Sequence, residues 1–386
     1  MKINKLDFII YALLIALFKI FVIPTVLQQV IKIVSIAIIL IYLVNRIHRK
    51  ELFNISFWWA LIIIGTSFLG YLKNSITLDN SIDSILHGMC IYSLYTLIAY
   101  CSRTDNLKRF INILFSVLAI YCVISLITIV AFGGAPGTGI LYFAGNKFRT
   151  SYYFIFFLTM IQIKYYDEIS SKIRSKILFL ILSFVVIGIT KYIQCSTAMV
   201  ATVCVALSIF IPRKMQNILK NPTTVIISLG ISALLLLLTN IISENYYVNY
   251  VVTELLGEDI GLTGRYRIYG YLFGIIRNSW LFGYGYGNYA VGTIVGYGNA
   301  QNSVIQLIID YGIVGLVGFS ILMIHSFRKG SKTENKWGYY VYIYVMLICA
   351  MIEICFNYNF YTMLFLICFD REASYYKTLT KYKIKS

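Results

Sequence analysis

The sequence predicts an all-α, polytopic membrane protein with about 12 transmembrane helices and one large outer loop. Composition is the first observation behind this prediction: 59% of the residues are hydrophobic, 13% are charged, and the mean hydropathy is +0.77. Soluble domains carry about a quarter charged residues, so the chain lies far outside the soluble range. The second observation is that the apolar residues are grouped in long runs separated by short polar connections.

A helix needs about 20 apolar residues to cross a bilayer, and about twelve runs approach that length. In order they cover residues 8–26, 29–45, 55–72, 82–101, 109–132, 151–166, 175–190, 195–211, 223–242, 303–325, 337–353 and 357–370. The sixth, seventh, eighth and twelfth runs are short, so eleven spans or one re-entrant segment is the alternative. No internal duplication or Pro-rich linker divides the chain, and residues 1–386 are predicted to form a single membrane domain.

The basic residues indicate how the chain is oriented. The formal net charge is +17, but most of the 33 Lys and Arg lie in the termini and in alternate connections, such as 46–50, 103–109, 164–176 and 328–336. This distribution is typical of the positive-inside rule rather than of a nucleic-acid site. It predicts that both termini are cytoplasmic and that residues 242–302 lie outside.

Residues 242–302 interrupt the apolar runs with a long stretch rich in Tyr, Gly, Asn and Arg. Membrane proteins keep irregular polar backbone where water or a ligand can satisfy it, so this extracytoplasmic loop is predicted to form the active site. Apolar and aromatic residues at helical spacing predict a short amphipathic helix over 266–276, with Thr263 as its N-cap. Gly283, Gly285 and Gly287 then alternate with aromatics. This pattern lets the backbone approach a ligand closely, or it is simply a turn or an interfacial aromatic belt.

Several basic residues lie on the predicted outer side, where the positive-inside rule expects few. They are Lys32, Lys73, Lys147, Arg149, Lys191, Arg265, Arg267 and Arg277. One interpretation is a cationic pocket for a diphosphate, because the planar guanidinium group of arginine can donate two hydrogen bonds to phosphate oxygens at once. The other is ordinary solvated loop charge. The first is favoured for the three arginines beside the Gly-rich stretch, and the second for Lys32 and Lys73.

Other residue types point away from metal, redox and nucleotide chemistry. The eight cysteines lie in or beside apolar runs without a CxxC spacing, which is typical of helix packing. The three histidines are scattered and no Walker sequence is present, so no metal, no cofactor and no ATP hydrolysis are predicted. Asp310 lies inside an apolar run, where an acid is either functional or a helix-end residue facing the loop.

Four short elements, taken in order, resemble the signature region of the O-antigen ligase and polymerase superfamily. They are Gly264-Arg265, Leu281-Phe282-Gly283-Tyr284-Gly285-Tyr286-Gly287-Asn288, Gln301-Asn302 and Asp310-Tyr311-Gly312-Ile313-Val314-Gly315-Leu316. Two positions depart from the family pattern. Gln301 stands where many members carry His, and a glutamine cannot act as a general base. Ser196 stands where a family Ser-Arg-Thr-Ala element carries its Arg.

The resemblance implies an inverting, metal-independent glycosyltransferase that uses polyprenyl-diphosphate sugars. It implies catalytic roles for Arg265 on the diphosphate and for Gln301 and Asn302 on hydroxyl groups. Substrate-binding roles are predicted for Arg149, Lys147, Arg267, Gly283, Gly285, Asn288 and Asp310. The residue that takes the acceptor proton stays open among Glu244, Glu254, Glu258, Asp259 and Glu353.

Polymerisation of lipid-linked oligosaccharide repeat units for a bacterial surface polysaccharide is the favoured function, because the missing His suits the divergent polymerases. An O-antigen-type ligase and a non-catalytic lipid-linked oligosaccharide flippase or transporter are the alternatives. The predicted partners are the lipid bilayer, the polyprenyl-diphosphate-linked oligosaccharide, a chain-length regulator and a flippase, but not nucleic acid. The predicted location is the bacterial cytoplasmic membrane.

Overall fold

The computed structural model describes residues 4–18, 20, 23–74, 79–133, 141–243, 265–330 and 337–369, and this part of the chain is helical without any strand. Seventeen α-helices are seen there. They are α1 Lys5–Leu17, α2 Thr25–Val44, α3 Arg49–Leu52, α4 Ile55–Asn74, α5 Asp79–Arg103, α6 Leu107–Phe132, α7 Lys147–Lys164, α8 Tyr166–Ser171, α9 Ile173–Tyr192, α10 Ser196–Leu207, α11 Arg213–Leu219, α12 Pro222–Ser243, α13 Arg265–Asn278, α14 Ala290–Val295, α15 Ser303–Gly330, α16 Trp337–Cys349 and α17 Tyr358–Phe369. The predicted all-α class is confirmed.

Six of the described helices are long and apolar enough to cross a membrane: α2, α4, α5, α6, α9 and α15. Four shorter apolar helices cover Ser196–Phe210, Pro222–Leu234, Trp337–Cys349 and Tyr358–Phe369. The chain is therefore a multi-pass membrane protein, while the count of about 12 spans stays a prediction. The first apolar run is shorter as a helix than the predicted 8–26, because α1 ends at Leu17 and Pro24 precedes the start of α2.

Side-chain caps explain where several helices begin. The Asn4 side chain accepts from the Leu6 N–H at the start of α1, and the Asn146 side chain accepts from the Arg149 N–H at the start of α7. At α15 the Oδ1 of Asn302 accepts from the N–H groups of Val304 and Ile305, both at 3.0 Å. Such caps satisfy backbone donors that have no partner inside the helix.

Helix α5 is the central element of the bundle. Of its most apolar stretch 83% is buried, whereas the corresponding stretches of α2 and α9 are only 22% buried. Helix α5 packs against α2, α4 and α17, and α15 packs against α4, α12 and α17. The exposed apolar faces of the outer helices are what lipid contact requires, since a bilayer solvates apolar side chains.

Two ion pairs lie near one end of the bundle among the described residues. Glu51 of α3 pairs with Arg103 at the end of α5, and Asp7 of α1 accepts from two nitrogens of Arg109 at 2.5 and 2.6 Å. Asp83, near the start of α5, lies twenty residues from Arg103, which corresponds to about 30 Å along a helix. The features described next are at the Asp83 end.

Candidate active site

A break in α15 provides the framework of the site. Gly312 has φ 65° and ψ −166°, a conformation that interrupts the helix. Four backbone hydrogen bonds join the two sides of this break to the connection that follows α13. The N–H groups of Ile313 and Val314 donate to Trp280 and Leu281, at 2.8 and 3.3 Å. The carbonyls of Ile309 and Asp310 accept from Tyr284 and Gly285, at 2.7 and 2.9 Å. The Gly-rich loop, residues 279–289, is therefore inserted against the broken helix.

Glycine is required on both sides of this contact. A Cβ on Gly283 would lie 2.5 Å from the Asp310 carbonyl oxygen, and one on Gly312 would overlap the Leu281 carbonyl. A Cβ on Gly285 would overlap the ring of Tyr71 in α4. All three glycines also have positive φ, which other residues rarely adopt. In this structure Gly283 packs against the Asp310 backbone and Gly285 packs against Tyr71.

Asp310 and Asn288 hold the Gly-rich loop to α15. The Asp310 Oδ1 accepts from the Asn288 side-chain amide at 2.8 Å and from the Gln306 amide at 2.7 Å. The same Asn288 amide donates to the Gly285 carbonyl at 2.6 Å, which closes the loop on itself. A buried carboxylate in a membrane helix needs such partners. The predicted substrate-binding residues Asn288 and Asp310 thus lie together, inside the protein and behind the loop.

Tyr286, at the centre of the Gly-rich loop, is turned toward the bundle. Its N–H donates to Ser67 at 3.1 Å and its carbonyl accepts from the Tyr71 hydroxyl at 2.5 Å. Its ring stacks on His87 with centroids 4.3 Å apart and planes at 8°, and the His87 Nδ1 lies 3.0 Å from the Tyr358 hydroxyl. Burial raises the pKa of the Tyr286 hydroxyl above its ordinary value, so the phenol stays protonated at neutral pH.

Tyr286 and Tyr358 line a polar cavity of about 210 Å³. Its walls come from segments that are far apart in the sequence: the end of α1, the start of α2, and the first turns of α5, α7 and α17. The lining residues are Leu17, Thr25, Gln28, Gln29, Lys32, Asp83, Arg149, Tyr153, Tyr286, Asn357, Tyr358 and Asn359. Three of them are charged, and four carry side-chain amides.

The three charged side chains of this cavity do not neutralise one another. Among the described residues, no Lys or Arg nitrogen lies within 4.0 Å of the Asp83 carboxylate, and Lys32 and Arg149 have no acidic partner within that distance. Asp83 instead accepts from the Gln29 amide at 2.8 Å. The Lys32 ammonium lies 5.7 Å from the centre of the Tyr358 ring. Two cations and one carboxylate thus face a shared space, which suits an anionic ligand that has a reacting hydroxyl nearby.

Of the predicted cationic residues, Arg149 lines the cavity and Lys147 does not. The Lys147 ammonium donates to the Gln194 carbonyl at 2.8 Å and so ties the start of α7 to the turn before α10. Arg265 and Arg267 begin α13, which leads into the Gly-rich loop, but their side chains lie outside the described residues. Residues 244–264, with Glu244, Glu254, Glu258 and Asp259, also lie outside the described residues.

The Gln301-Asn302 pair lies at the start of α15. Gln301 has φ 52°, and its N–H donates to the Asn299 side chain at 2.9 Å. Asn302 is fully buried, and besides capping α15 it donates to the carbonyls of Ser232 and Met351 at 2.9 and 3.1 Å. These contacts join the middle of α12 and the end of α16 to the start of α15. Neither Gln301 nor Asn302 lines the cavity.

Sequence reasoning did not select Lys32 or Asp83 as site residues. Lys32 was interpreted as ordinary loop charge, yet it lies in the second turn of an apolar membrane helix. Asp83 lies near the start of the helix that becomes the most buried in the bundle. An ionisable side chain inside a membrane run is by itself an indication of function, and that signal was available in both cases.

Together, these features define a multi-pass, all-helical membrane protein with a charged cavity at one end of the bundle. Residues 169–320 match the family model described as O-antigen ligase, and this match supports the resemblance to the O-antigen ligase and polymerase superfamily. Members of that family are membrane enzymes of the glycosyltransferase type. No curated protein and no solved structure gives a significant match to the chain.

The matched segment contains the Gly-rich loop and the break in α15. The predicted resemblance is thus confirmed where its motifs lie. Lys32, Asp83 and Arg149 lie before the matched segment, and Tyr286 brings it into contact with the cavity that they line.

Proposed function

We propose that this protein polymerises lipid-linked oligosaccharide repeat units of a bacterial surface polysaccharide. In this reaction the polyprenyl-diphosphate-linked chain is transferred to an incoming lipid-linked unit. The observation that carries the proposal is the cavity that Lys32 and Arg149 both line, where neither has an acidic partner within 4.0 Å among the described residues. The family match over residues 169–320 supports the enzyme class.

The leaving group of this reaction is a diphosphate, so negative charge grows on its bridging oxygen as the sugar bond breaks. Fixed cations in a partly dehydrated site stabilise that charge. Arg149 has the planar fork that binds two phosphate oxygens at once, and Lys32 supplies a compact charge. The family resemblance implies that Arg265, with Arg267, binds the same diphosphate.

The remaining walls of the cavity suit a sugar. The rings of Tyr153, Tyr286 and Tyr358 offer flat apolar faces, and the amides of Asn357 and Asn359 offer hydrogen bonds to hydroxyl groups. A volume of about 210 Å³ is below the roughly 300–1,000 Å³ of ordinary ligand pockets. We therefore propose that the cavity holds only the reacting ends of the two substrates, and that the rest of each glycan extends into water.

The cavity is proposed to open on the outer face of the bacterial cytoplasmic membrane. Its walls come from the connections that the distribution of Lys and Arg predicts to be outside. The opposite end carries Arg103 and Arg109, in connections predicted to be cytoplasmic.

The test is to delete the gene, complement it with plasmid-borne variants, and resolve surface and lipid-linked glycans by size. We expect deletion to reduce the glycan ladder to a single repeat unit. A ladder that persists on the carrier lipid but is not passed on would instead make the protein a ligase. Units that stay unextended on the cytoplasmic side would make it a flippase.

Arg149 is the variant to test in the same cells. We expect Arg149→Ala to shorten the glycan ladder strongly. Arg149→Lys should restore it in part, because lysine keeps the positive charge but cannot bind two phosphate oxygens in the bidentate way of arginine. Lys191→Ala is the matched control: it removes one exposed charge at the same end of the bundle, outside the cavity. A normal ladder from Arg149→Ala at equal protein level would remove Arg149 from the diphosphate site.

A further inference from the structure

The structure leads to a proposal for the step that the sequence left open, the removal of the acceptor proton. We propose that Asp83 is the general base of the glycosyl transfer and that Gln29 holds it in place. This inference rests on the proposed function, because it assigns a role within the same cavity.

The other described candidates are placed where they cannot reach a substrate in this cavity. Gln301 is an amide and cannot accept the proton as a base. The Asp310 carboxylate is hydrogen-bonded to Asn288 and Gln306 behind the Gly-rich loop. Glu353 is buried and does not line the cavity. Among the described residues, Asp83 is the one carboxylate that lines it.

Two neighbouring helices position Asp83 relative to the cations. Helix α2 packs along α5, and the Gln29 amide of α2 donates to the Asp83 Oδ1 at 2.8 Å. Lys32 follows Gln29 by three residues on α2, so both side chains lie on one face of that helix. Helix α2 therefore carries both the group that orients the base and a cation for the leaving group.

One turn further along α5, His87 supports the wall of the cavity that Tyr286 and Tyr358 form. His87 follows Asp83 by four residues, stacks on the Tyr286 ring at 4.3 Å, and contacts the Tyr358 hydroxyl at 3.0 Å. The same face of α5 thus presents the carboxylate and fixes the two tyrosines beside it. A sugar lying on these rings would have its hydroxyl groups close to Asp83.

Among the described residues, the Asp83 carboxylate has no cation within 4.0 Å. Asp83 is held by the neutral amide of Gln29 instead. This hydrogen bond fixes the direction of the carboxylate, and a general base must be held within hydrogen-bond reach of the proton that it takes.

The reaction then balances as a single displacement. The oxygen of the acceptor hydroxyl forms a bond to the anomeric carbon of the donor chain, and the bond from that carbon to the diphosphate oxygen breaks. The polyprenyl diphosphate leaves with the electron pair of the broken bond, next to Lys32 and Arg149. The hydroxyl proton passes to the Asp83 carboxylate and is then released to water. No other reactant is needed.

The test uses the full-length protein, purified in detergent, with lipid-linked repeat units extracted from the deletion strain as the substrate. We expect Asp83→Asn to lower kcat by about 10²- to 10⁴-fold with little change in KM, because the loss falls on proton transfer. Asp83→Ala should regain part of its rate when formate is added, since a small carboxylate can occupy the vacated space. Asp105→Asn makes the same chemical change at an exposed position near the other end of α5 and should leave the rate unchanged.

The outcomes separate this inference from the proposed function. If wild-type protein extends no units, the proposed function fails and the role of Asp83 fails with it. If wild-type protein extends units and Arg149→Ala is impaired, while Asp83→Asn stays within about threefold of wild type, the function stands and Asp83 is not the base. A slow Asp83→Ala protein that formate does not restore would assign Asp83 a structural role instead, and would overturn the inference as well.

Discussion

At the scale of single residues, side chains that look equivalent in the sequence have different positions relative to the cavity. Lys32 and Lys73 are both isolated lysines on the predicted outer side. Lys32 lines the cavity, whereas the Lys73 ammonium donates to the Asn278 carbonyl at 2.9 Å and lies at the surface. Lys147 and Arg149 differ in the same way, although only two positions separate them. The charge of a residue therefore does not show whether it belongs to the site. The direction in which its side chain points does.

This difference leads to a prediction for Lys32. We expect Lys32→Met to lower the rate of repeat-unit transfer by about 10²- to 10³-fold, the usual effect of removing one group that stabilises transition-state charge. Methionine keeps much of the apolar stem and removes the ammonium. The measurement is the initial rate in detergent with extracted lipid-linked units. Lys73→Met is the control and should leave the rate within about twofold; equal losses in the two variants would argue against a specific role for Lys32.

At the scale of elements, the Gly-rich loop and α15 form one unit. Backbone hydrogen bonds that a continuous helix would make internally are made to the loop, and Asp310, Asn288 and Gln306 reinforce the contact. The glycine motif of the family thus has a packing explanation in this chain. The sequence predicted that Gly283 and Gly285 let the backbone approach a ligand, whereas in the structure they lie against α15 and Tyr71.

Gly312 is the position at which this unit is most sensitive. Gly312→Ala would place a Cβ against the Leu281 carbonyl, in a backbone conformation that is essentially restricted to glycine. We expect the variant to lose at least about 1–3 kcal/mol of stability, the cost of such strain alone. Thermal unfolding of the purified protein in detergent measures the loss.

Gly274→Ala is the matched control for that substitution. Gly274 lies inside α13, and no atom comes within 4 Å of a Cβ added there. Alanine favours helix by about 1 kcal/mol over glycine, so this variant should be as stable as wild type or more stable. A similar unfolding temperature for Gly312→Ala and wild type would mean that the break in α15 does not depend on glycine.

At the scale of the whole molecule, the bundle brings distant parts of the chain to one end. Lys32, Asp83, Arg149, Tyr286 and Tyr358 come from five separate elements. The matched family segment supplies only Tyr286 among these, and the helices before and after it supply the others. A cavity of this kind exists only when the helices before the family segment are packed against it.

The orientation of the bundle can be tested by labelling introduced cysteines in intact cells. The native cysteines give a low background, because seven are buried and Cys204 is partly buried. We expect Lys191→Cys, at the cavity end, to react with a membrane-impermeant maleimide added outside. Lys108→Cys, at the start of α6 near the other end, should react only after the cells are opened. The opposite pattern would place the cavity inside the cell and contradict extracytoplasmic polymerisation.

Composition and local pattern were enough to predict several features of this protein. The all-helical membrane class follows from the mean hydropathy and the length of the apolar runs, since a bilayer tolerates few other structures. The O-antigen ligase and polymerase resemblance follows from short contiguous motifs, and the family match over residues 169–320 confirms it. The predicted amphipathic helix over 266–276 lies within α13. These are local properties, and a sequence carries local properties directly.

Only the tertiary structure decided which polar residues share a cavity. The pairing of Gln29 with Asp83 joins residues 54 positions apart, and the contact of His87 with Tyr358 joins residues 271 positions apart. Helical periodicity shows which face of a helix is apolar, but not which other helix that face meets. That choice depends on the free energy of packing all the helices together. For this reason the sequence by itself determined the class and the family resemblance, while the packing of α2, α5, α7 and α17 around the Gly-rich loop decided the site.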